Sequence, residues 1–288
     1  MSSSNNFSFK ILYLDRFFQG VHKDSGNIYF IPKTLPGEEG IAVIKKQKKG
    51  VIFAQMLELT VPSPLRQKPA CPHFEECNGC HALHMDYENE IQTKQTTLSR
   101  AFHSWFQGEI KTLTADRSFY RNRIQLHFDR EQKKLGFKNE DKIMNAPNCL
   151  LGSKRITQKL KELFFFFSWL NLTKSPQGEI ELYETSDQVS VSLNQGKAHL
   201  GFSQVNRELN NQLKKNLNAH SLWQKIKEEK GVVVDLFGGF GNLSSDFDQN
   251  HVWVYDVNGD LTHPHFIKTD LYKAQPSSPQ KKCDLLIV

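Results

Sequence analysis

Three of the chain's five cysteines lie within ten residues, in the segment CPHFEECNGC (71–80). Cys71, Cys77 and Cys80 have the spacing C-x5-C-x2-C, and Cys149 follows much later, in NAPNCLL. Three thiolates on a short loop can occupy three corners of a tetrahedral metal site or of an iron–sulfur cubane, and a fourth thiolate can come from another element. These ligand types leave zinc and a [4Fe–4S] cluster as open alternatives.

The residues around the cysteine loop bear on that choice. His73, His81 and His84 lie close enough in sequence to replace Cys149 in a zinc site. Clustered cysteines of odd number indicate metal binding or redox chemistry in a reducing compartment, and not a secreted disulfide framework. Cys283 lies in the apolar segment CDLLIV, which predicts a buried small hydrophobic residue.

A second motif, GVVVDLFGGFGNLS (231–244), combines an apolar strand with a glycine turn. Asp235 ends the strand and glycines follow, and glycines allow a sharp turn and a close approach to a ligand. A second apolar segment ends at Asp256, where an acid can accept hydrogen bonds from ribose hydroxyls. The order D-x-F-x-G-x-G is more typical of an S-adenosylmethionine loop than of a dinucleotide loop, and a purely structural turn is the alternative.

Length and composition restrict the class of protein. The 288 residues predict two or three domains, and 38% hydrophobic and 24% charged residues are ordinary for a soluble globular protein. The sequence contains no apolar run long enough to span a membrane and no secretory signal at its N-terminus, so we expect a cytoplasmic protein. The formal charge of +6 favours a polyanionic partner such as a nucleic acid.

The hydrophobic pattern predicts three regions. Residues 7–60 show four or five short strands, which predict a small closed β-barrel of the OB type. Five lysines in this region (Lys33, Lys45, Lys46, Lys48 and Lys49) suit a nucleic-acid backbone, or else form a solvated hairpin. A proline-rich joint follows, then a helix over 87–106 and an α+β region to about 205. Within that region a helix over 153–170 contains Phe164–Phe167, which we expect in a core or an interface.

From residue 206 the pattern changes to that of a parallel α/β domain. A helical segment over 206–229 precedes the strand of the glycine motif, and a helix is expected to begin after the glycines. HVWVYDVN and CDLLIV are further apolar strands. The predicted domains are therefore 1–64, 65–205 and 206–288.

Taken together, these segments resemble the RNA (uracil-5-)-methyltransferases, in particular the ribosomal-RNA branch. The resemblance runs in order through five motifs: IYFIPKTLPGE; CPHFEECNGCHALHM with Tyr87 and Lys94; FYRNRIQLHF with LGF; FSQVNRELN; and VVDLFGGFGN. It implies a multi-domain fold with an N-terminal OB-like TRAM barrel, a central α+β domain with an iron–sulfur cluster and a partial Rossmann-like α/β methyltransferase domain.

The resemblance also implies ligands. Cys71, Cys77, Cys80 and Cys149 match the four ligands of a [4Fe–4S] cluster in that family, which favours iron–sulfur over zinc. A list of positions matches its S-adenosylmethionine contacts: Gln204, Phe237, Asn242, Asp256 and Asp270. Asp256 departs from the family pattern, which has glutamate there, so its reach toward a ribose is shorter.

The implied activity is methyl transfer from S-adenosylmethionine to C5 of a uridine in ribosomal RNA. Arg121 and Arg123 in YRNR could contact RNA, or one of them could support the central sheet through a salt bridge. We expect the partner to be RNA, with no membrane, and the protein to be a monomer.

The catalytic residues are not expected among these 288. The family's D-P-P-R segment, its nucleophilic cysteine and its base follow the strand that CDLLIV resembles, so we expect them beyond Val288. The sequence then indicates either an incomplete enzyme or a non-catalytic RNA-binding iron–sulfur relative. A zinc-ribbon-like nucleic-acid protein is a weaker alternative, because it does not explain the glycine loop.

Overall fold

A computed structural model describes residues 5–139, 141–195, 204–273 and 282–288. The chain divides into two compact units, the first comprising residues 1–112 and 126–150 and the second comprising 113–125 and 151–288. The division into domains 1–64, 65–205 and 206–288 stays a prediction. Among the described residues, no helix combines the length and the apolar character needed to cross a membrane.

The first unit begins with a six-stranded sheet, the N-terminal sheet. Its strands are β1 (Asn6–Lys10), β2 (Tyr13–Leu14), β3 (Gln19–Asp24), β4 (Asn27–Pro32), β5 (Glu39–Lys48) and β6 (Val51–Val61). They lie in the order β1-β5-β6-β4-β3-β2, with β4 and β6 parallel and the other neighbours antiparallel. Alternate residues point into one core that contains Phe9, Ile11, Ile31, Ala42 and Ala54.

The strands predicted in this region are FKILYL, NIYFIP, EGIAVIKKQ and GVIFAQMLEL. FKILYL divides between the end of β1 and β2, the other three correspond to β4, β5 and β6, and β3 has no predicted counterpart. Its sequence is QGVHKD, and only Gly20 and Val21 are buried. Because β3 borders β2 and β4 near the edge of the sheet, two inward residues are enough to hold it, and the alternation is too short to detect.

A buried ion pair fixes the loop between β4 and β5. The side chain of Glu38 is fully buried, and Arg66 Nη2 donates to its Oε2 at 2.8 Å. The backbone N–H groups of Leu35 and Ser63 also donate to this carboxylate. Burial alone would raise the pKa of Glu38, but the bonds from Arg66, Leu35 and Ser63 together hold its pKa below the ordinary value.

The rest of the first unit contains α1 (Tyr87–Phe102), β8 (Lys134–Asn139), β9 (Lys142–Met144) and most of β7 (Arg123–Asp129). The Asp86 side chain caps α1 by accepting from the N–H of Asn89 at 2.8 Å. The helix ends at Phe102, four residues before the predicted end. β7, β8 and β9 are successive antiparallel strands.

The second unit contains α2 (Lys154–Phe165), β10 (Gln177–Glu184), β11 (Val189–Leu193), α3 (Arg207–Ala219) and α4 (Ser221–Glu228). Helix α2 buries Ile156, Leu160 and Leu163. Phe165, Phe166 and Phe167 are exposed because the helix ends there and the chain turns, so a core position is wrong for these three and an interface position stays a prediction. The predicted strand AHLGFSQ lies outside the described residues, except for Gln204.

A parallel sheet completes the second unit. Its strands are β12 (Val233–Leu236), β13 (Val252–Asp256), β14 (Phe266–Lys268) and β15 (Leu285–Ile287). They lie in the order β14-β13-β12-β15, and every pair is parallel. The predicted parallel α/β pattern is therefore present, with β14 added. The expected helix after the glycines is replaced by turns, and Cys283 is exposed instead of buried.

We predict that Arg66→Ala lowers the free energy of unfolding by about 3–5 kcal/mol, because it leaves the buried Glu38 carboxylate without its counter-charge. Chemical denaturation monitored by circular dichroism measures this change. Lys10→Ala is the control, since it removes an ion pair to Glu39 whose side chains are 64% and 41% exposed. Equal losses for the two variants would contradict a structural role specific to Glu38 and Arg66.

Candidate functional site

The ends of three parallel strands place the predicted cofactor residues at one edge of the sheet. Phe237 directly follows β12, Asp256 ends β13, and Asp270 lies two residues beyond β14. In register, Leu236 pairs with Tyr255, and Asp256 pairs with Lys268. The carboxyl ends of parallel strands form the edge at which open α/β sheets bind their ligands.

The glycine loop at this edge has a backbone that most side chains would disfavour. Phe237, Gly239 and Gly241 have φ values of +58°, +56° and +68°. At Gly238, a Cβ would lie 2.6 Å from the carboxyl carbon of Asp235. The loop therefore requires glycine for conformation at two positions and for space at a third.

Asp256 binds the glycine loop directly. Its Oδ2 accepts a hydrogen bond from the N–H of Gly239 at 3.0 Å, and its Oδ1 accepts from the N–H of Asn258 at 3.0 Å. An ionised carboxylate has about four acceptor positions, so two remain for a ligand. The site thus presents a partly exposed acid held in place by backbone groups.

Asp235 has a different environment from Asp256. Its side chain is buried, and its Oδ2 accepts from Ser244 Oγ at 2.6 Å. Burial raises the pKa of Asp235, the negative charge of Asp256 raises it further, and the hydrogen bond from Ser244 opposes both effects. Asp235 therefore supports the loop through its hydrogen bond with Ser244, and its burial leaves it no surface for a ligand.

Two aromatic rings lie beside the loop. The ring centroids of Phe237 and Tyr272 lie 5.4 Å apart. Phe237 is 45% exposed and Tyr272 is 89% exposed. Asp270 orders the turn that carries Tyr272, because its Oδ1 accepts from the Tyr272 N–H at 3.1 Å. A salt bridge from Lys273 at 2.9 Å holds the pKa of Asp270 below its ordinary value.

The other two predicted residues lie differently. Asn242 exchanges two hydrogen bonds, of 3.0 and 2.7 Å, with Asn210 on α3, so it fastens the loop to that helix. The carbonyl of Gln204 accepts from Asn122 Nδ2 at 3.0 Å, and its side chain is exposed. The structure thus joins Asp256 directly to the loop, places Phe237 within it, and orders Asp270 beside it.

Sequence reasoning missed Asn210, Tyr272 and Gly259. A Cβ on Gly259 would collide with the carbonyl oxygen of Gly239 and with the Phe266 ring. A glycine shortly after VYD was the only available signal for this close approach. Asn210 is the last residue of the segment FSQVNRELN, and Tyr272 lies two residues after Asp270. Neither was predicted to contact the loop, because only the fold shows which side chains meet there.

The cysteine loop lies in the first unit and is built from tight turns. The N–H of Phe74 donates to Cys71 O at 3.2 Å, and the N–H of Cys77 donates to His73 O at 2.8 Å. The buried Phe74 ring packs beside that of His84, with centroids 5.3 Å apart. These contacts leave Cys71, Cys77 and Cys80 partly exposed.

Electrostatic interactions show which thiols lie near one another. Burial raises the pKa of Cys77, the N–H of Gly79 opposes this by donating to its Sγ at 3.3 Å, and the thiols of Cys149 and Cys71 raise it again. Cys149, which comes from a distant part of the sequence, therefore lies within interaction range of the loop. Within the described ranges, no group of three His, Cys, Asp or Glu side chains is arranged around a single metal ion.

Of the two arginines in YRNR, Arg123 has the predicted structural role, and RNA contact by Arg121 stays a prediction. Arg123 forms a salt bridge with Glu181 at 3.3 Å, and its guanidinium lies 4.5 Å from the centre of the Tyr183 ring. Both charged side chains of the pair are nearly buried. Arg123 therefore supports the central sheet through a salt bridge, as one of the two predictions had it, and its partners Glu181 and Tyr183 lie on β10.

We predict that Asp235→Asn changes the pH dependence of unfolding. Because the pKa of Asp235 is raised in the folded state, its contribution to stability is largest at low pH and is lost as pH rises through that pKa. The variant should gain thermal stability relative to the parent as pH increases from acid to neutral. Melting curves over that range measure the difference, with Asp187→Asn as an exposed control. A constant difference between Asp235→Asn and the parent at every pH would contradict this.

No family model matches this chain, but comparison with known proteins finds relatives in sequence and in structure. An uncharacterized RNA methyltransferase of Bdellovibrio bacteriovorus is 29% identical over 232 residues, covering 78% of this chain and 58% of its own. The 23S rRNA (uracil(1939)-C(5))-methyltransferase RlmD of Shewanella halifaxensis is 29% identical over 205 residues, covering 68% and 46%. The Shewanella sediminis protein of the same name is 25% identical over 280 residues, covering 93% and 60%.

The chain spans about half the length of the curated relatives it matches. Among solved structures, the Pyrococcus abyssi tRNA (uracil-54, C5)-methyltransferase in complex with S-adenosyl-L-homocysteine matches with a TM-score of 0.60 and 17% identity. That match covers 87% of this chain and 73% of the other, and it shows a shared fold of mixed sheets and few helices. The relatives confirm the resemblance predicted from the motifs: in sequence this chain is similar to the RNA uracil-C5-methyltransferases.

Proposed function

We propose that this chain provides the cofactor-binding and RNA-binding parts of an S-adenosylmethionine-dependent methyltransferase that acts on C5 of a uridine in ribosomal RNA. The observation that carries the proposal is the bond between Asp256 and the glycine loop at the carboxyl ends of parallel strands. The sequence relatives support it, since several are named as 23S rRNA uracil-C5-methyltransferases.

The geometry suits an adenosine group. Asp256 has acceptor positions left after its bonds to Gly239 and Asn258, and two ribose hydroxyls can donate to them. Phe237 and Tyr272 offer exposed aromatic faces beside the loop, suited to stacking on a base. Gln204, Asn242 and Asp270 complete the proposed cofactor contacts, with Asn242 acting through its hold on the loop.

Methyl transfer to C5 makes specific chemical demands. A bond forms between C5 and the methyl carbon, the bond from that carbon to the sulfonium breaks, and C5 loses its proton. Because uracil C5 is a poor nucleophile, a thiolate that adds to C6 would activate it and later be eliminated. We assign neither this thiolate nor the base to a residue of this chain. The exposed Cys283 precedes the family's catalytic segment and is not proposed for the role.

Binding of RNA is proposed for the first unit. We propose that its N-terminal sheet is a TRAM-type barrel, the first of three domains with the limits 1–64, 65–205 and 206–288. Exposed lysines at the end of β5 and in the turn after it, Lys45, Lys46, Lys48 and Lys49, would contact phosphates without reading sequence. A monomer in the cytoplasm stays a prediction. The comparisons do not favour the non-catalytic alternative.

We further propose that Cys71, Cys77, Cys80 and Cys149 bind a [4Fe–4S] cluster. In such a cluster each thiolate binds a different iron, so the sulfurs need not converge on one point as they would around zinc. Three observations fit: the interaction of Cys77 with Cys71 and Cys149, the N–H of Gly79 directed at Cys77 Sγ, and the positive charge of Lys33 nearby. When bound, the cluster would supply a structural cross-link between the loop and Cys149.

We predict that Asp256→Ala weakens S-adenosylmethionine binding by about tenfold to a hundredfold, the value of hydrogen bonds to a charged group. Gly239→Val should abolish binding, because its φ of +56° is strained for a β-branched residue. Isothermal titration calorimetry measures both.

Asp248→Ala is the matched control, since Asp248 precedes β13 at the opposite end of the strand from Asp256. Melting curves should show that every variant is folded at the titration temperature. If Gly239→Val binds as tightly as the parent, the loop is not the cofactor site.

For the cluster, we predict that anaerobically purified protein is coloured and contains about four irons per chain. Cys149→Ser should lose most of the iron and the visible absorption, whereas Cys283→Ser should keep both. Iron analysis and visible spectroscopy test this without any measurement of activity. Colourless parent protein that contains zinc instead would contradict the assignment.

A further inference from the structure

The first unit contains a pocket of about 300 Å³. One wall comes from the N-terminal sheet, with Gln19, Lys45, Phe53 and Gln55, and the other comes from the cysteine loop, with Asn78. This volume lies at the lower end of the range for small-ligand sites, about 300–1,000 Å³. The lining residues belong to the first unit, and the glycine loop belongs to the second.

Lys33, at the end of β4, joins the two walls. Its backbone has a φ of +61°, which is unusual for a long side chain, and its carbonyl accepts from Arg66 Nη2 at 2.8 Å. Its Nζ donates to Glu75 O in the cysteine loop at 2.6 Å and lies 5.3 Å from the centre of the Phe74 ring. Arg66, itself bound by the buried Glu38, thus holds the strained backbone of Lys33 in place. Residues with such unusual φ values cluster at functional sites.

Lys45 places a second positive charge at the pocket. The register between β5 and β6 shifts between Ile44 and Lys46, which pair with Ala54 and Phe53, so Lys45 is the extra residue of a bulge. A bulge redirects a side chain that regular pairing would place elsewhere. Since Lys45 is exposed and lines the pocket, its ammonium is available to an anion there.

The remaining lining groups suit a nucleobase. Phe53 is 38% exposed, and its ring is stacked on that of Phe30 with centroids 5.8 Å apart, so a planar apolar face is fixed at the pocket. The pocket is also lined by four residues with amide side chains, Gln19, Gln55, Asn78 and Asn139. Amides carry both donors and acceptors, as base edges do, and aromatic stacking with edge contacts is how proteins bind unpaired RNA bases.

The amides on the cysteine-loop wall are ordered. Asn78 Nδ2 donates to Asn139 Oδ1 at 2.5 Å, and Asn139 Nδ2 donates to the carbonyl of Glu76 at 2.5 Å. These bonds leave Asn78 Oδ1 and one hydrogen on each amide for a ligand. The exposed Glu75 carboxylate also lines the pocket and can accept from an amino group of a base.

We propose that this pocket receives one unpaired nucleotide of an RNA strand, at a subsite outside the one where methylation takes place. The base stacks on Phe53 and contacts the amides, and the adjoining phosphate contacts Lys45. A paired strand does not fit this arrangement, because its bases are stacked within the duplex and cannot reach Phe53. The proposal rests on RNA being the partner under the proposed function.

The test compares pocket variants with matched surface variants of the same unit. Fluorescence anisotropy with short labelled oligouridine and oligoadenosine strands measures affinity over a range of salt concentrations. Phe53→Leu should weaken binding about tenfold through lost stacking, and Phe17→Leu, an exposed phenylalanine outside the pocket, should change it little. Lys45→Gln should lower the salt slope by about 0.7, and should weaken binding more than Lys134→Gln, which removes an exposed lysine of β8 outside the pocket.

Crosslinking gives a second measurement that does not depend on variant folding. Strands containing 4-thiouridine should crosslink to peptides that carry Phe53, Gln55 or Asn78 in the unmodified protein. Crosslinks confined to other peptides would overturn the proposal. So would binding of free uridine monophosphate as tight as that of the strand, because the pocket would then be a mononucleotide site.

The outcomes separate this inference from the proposed function. If the parent binds RNA and S-adenosylmethionine but Phe53→Leu and Lys45→Gln match their controls, the subsite is wrong and the methyltransferase assignment stands. If the parent binds S-adenosylmethionine but no RNA, both the subsite and the RNA assignment fail. All four variants should bind S-adenosylmethionine as the parent does, since none of these residues lies in the second unit.

Discussion

The hydrogen bond between the N–H of Gly239 and the carboxylate of Asp256 is the interaction on which the candidate cofactor site depends. It joins the turn after β12 to the end of β13, so two segments far apart in the sequence share one geometry. The bond can form only because the loop backbone takes positive φ values and because Gly238 leaves room for the Asp235 carboxylate. Gly259 adds a second close approach, to the carbonyl of Gly239. Because β12 and β13 are parallel and Leu236 pairs with Tyr255, the glycine loop and Asp256 follow at the same edge of the sheet.

Two aspartates at the same sheet edge have acquired different properties from their surroundings. Asp235 is buried beneath the loop with Ser244 as its partner, and burial raises its pKa. Asp256 is partly exposed, accepts from two backbone N–H groups and keeps acceptor positions for a ligand. The negative charge of Asp256 also raises the pKa of Asp235, so it adds to the effect of burial. One therefore supports the loop, and the other is suited to contact a ribose.

A buried ion pair performs the corresponding task in the first unit. Glu38 and Arg66 order the loop between β4 and β5, and Arg66 also holds the carbonyl of Lys33. Lys33 then bonds to the cysteine loop through Glu75, so the position of that loop is coupled to the core of the N-terminal sheet. A charge pair of this kind is costly to bury, and its value here lies in the geometry that it imposes on a strained residue. The pocket beside Phe53 is lined by residues of both the sheet and the cysteine loop.

The sequence by itself determined most of the N-terminal strands, the parallel α/β pattern, the glycine loop with its acid, and the resemblance to the RNA uracil-C5-methyltransferases. These depend on local periodicity and on short motifs, which are readable without a fold. Only the tertiary structure decided that Asp256 binds Gly239, that Arg123 pairs with Glu181, and that Phe165–Phe167 are exposed. It also decided that Tyr272 and Asn210 meet the loop, and that Lys33 and Lys45 border one pocket. Such outcomes depend on which distant segments pack together and on how much space a glycine leaves between them. The order of residues along a single element specifies neither.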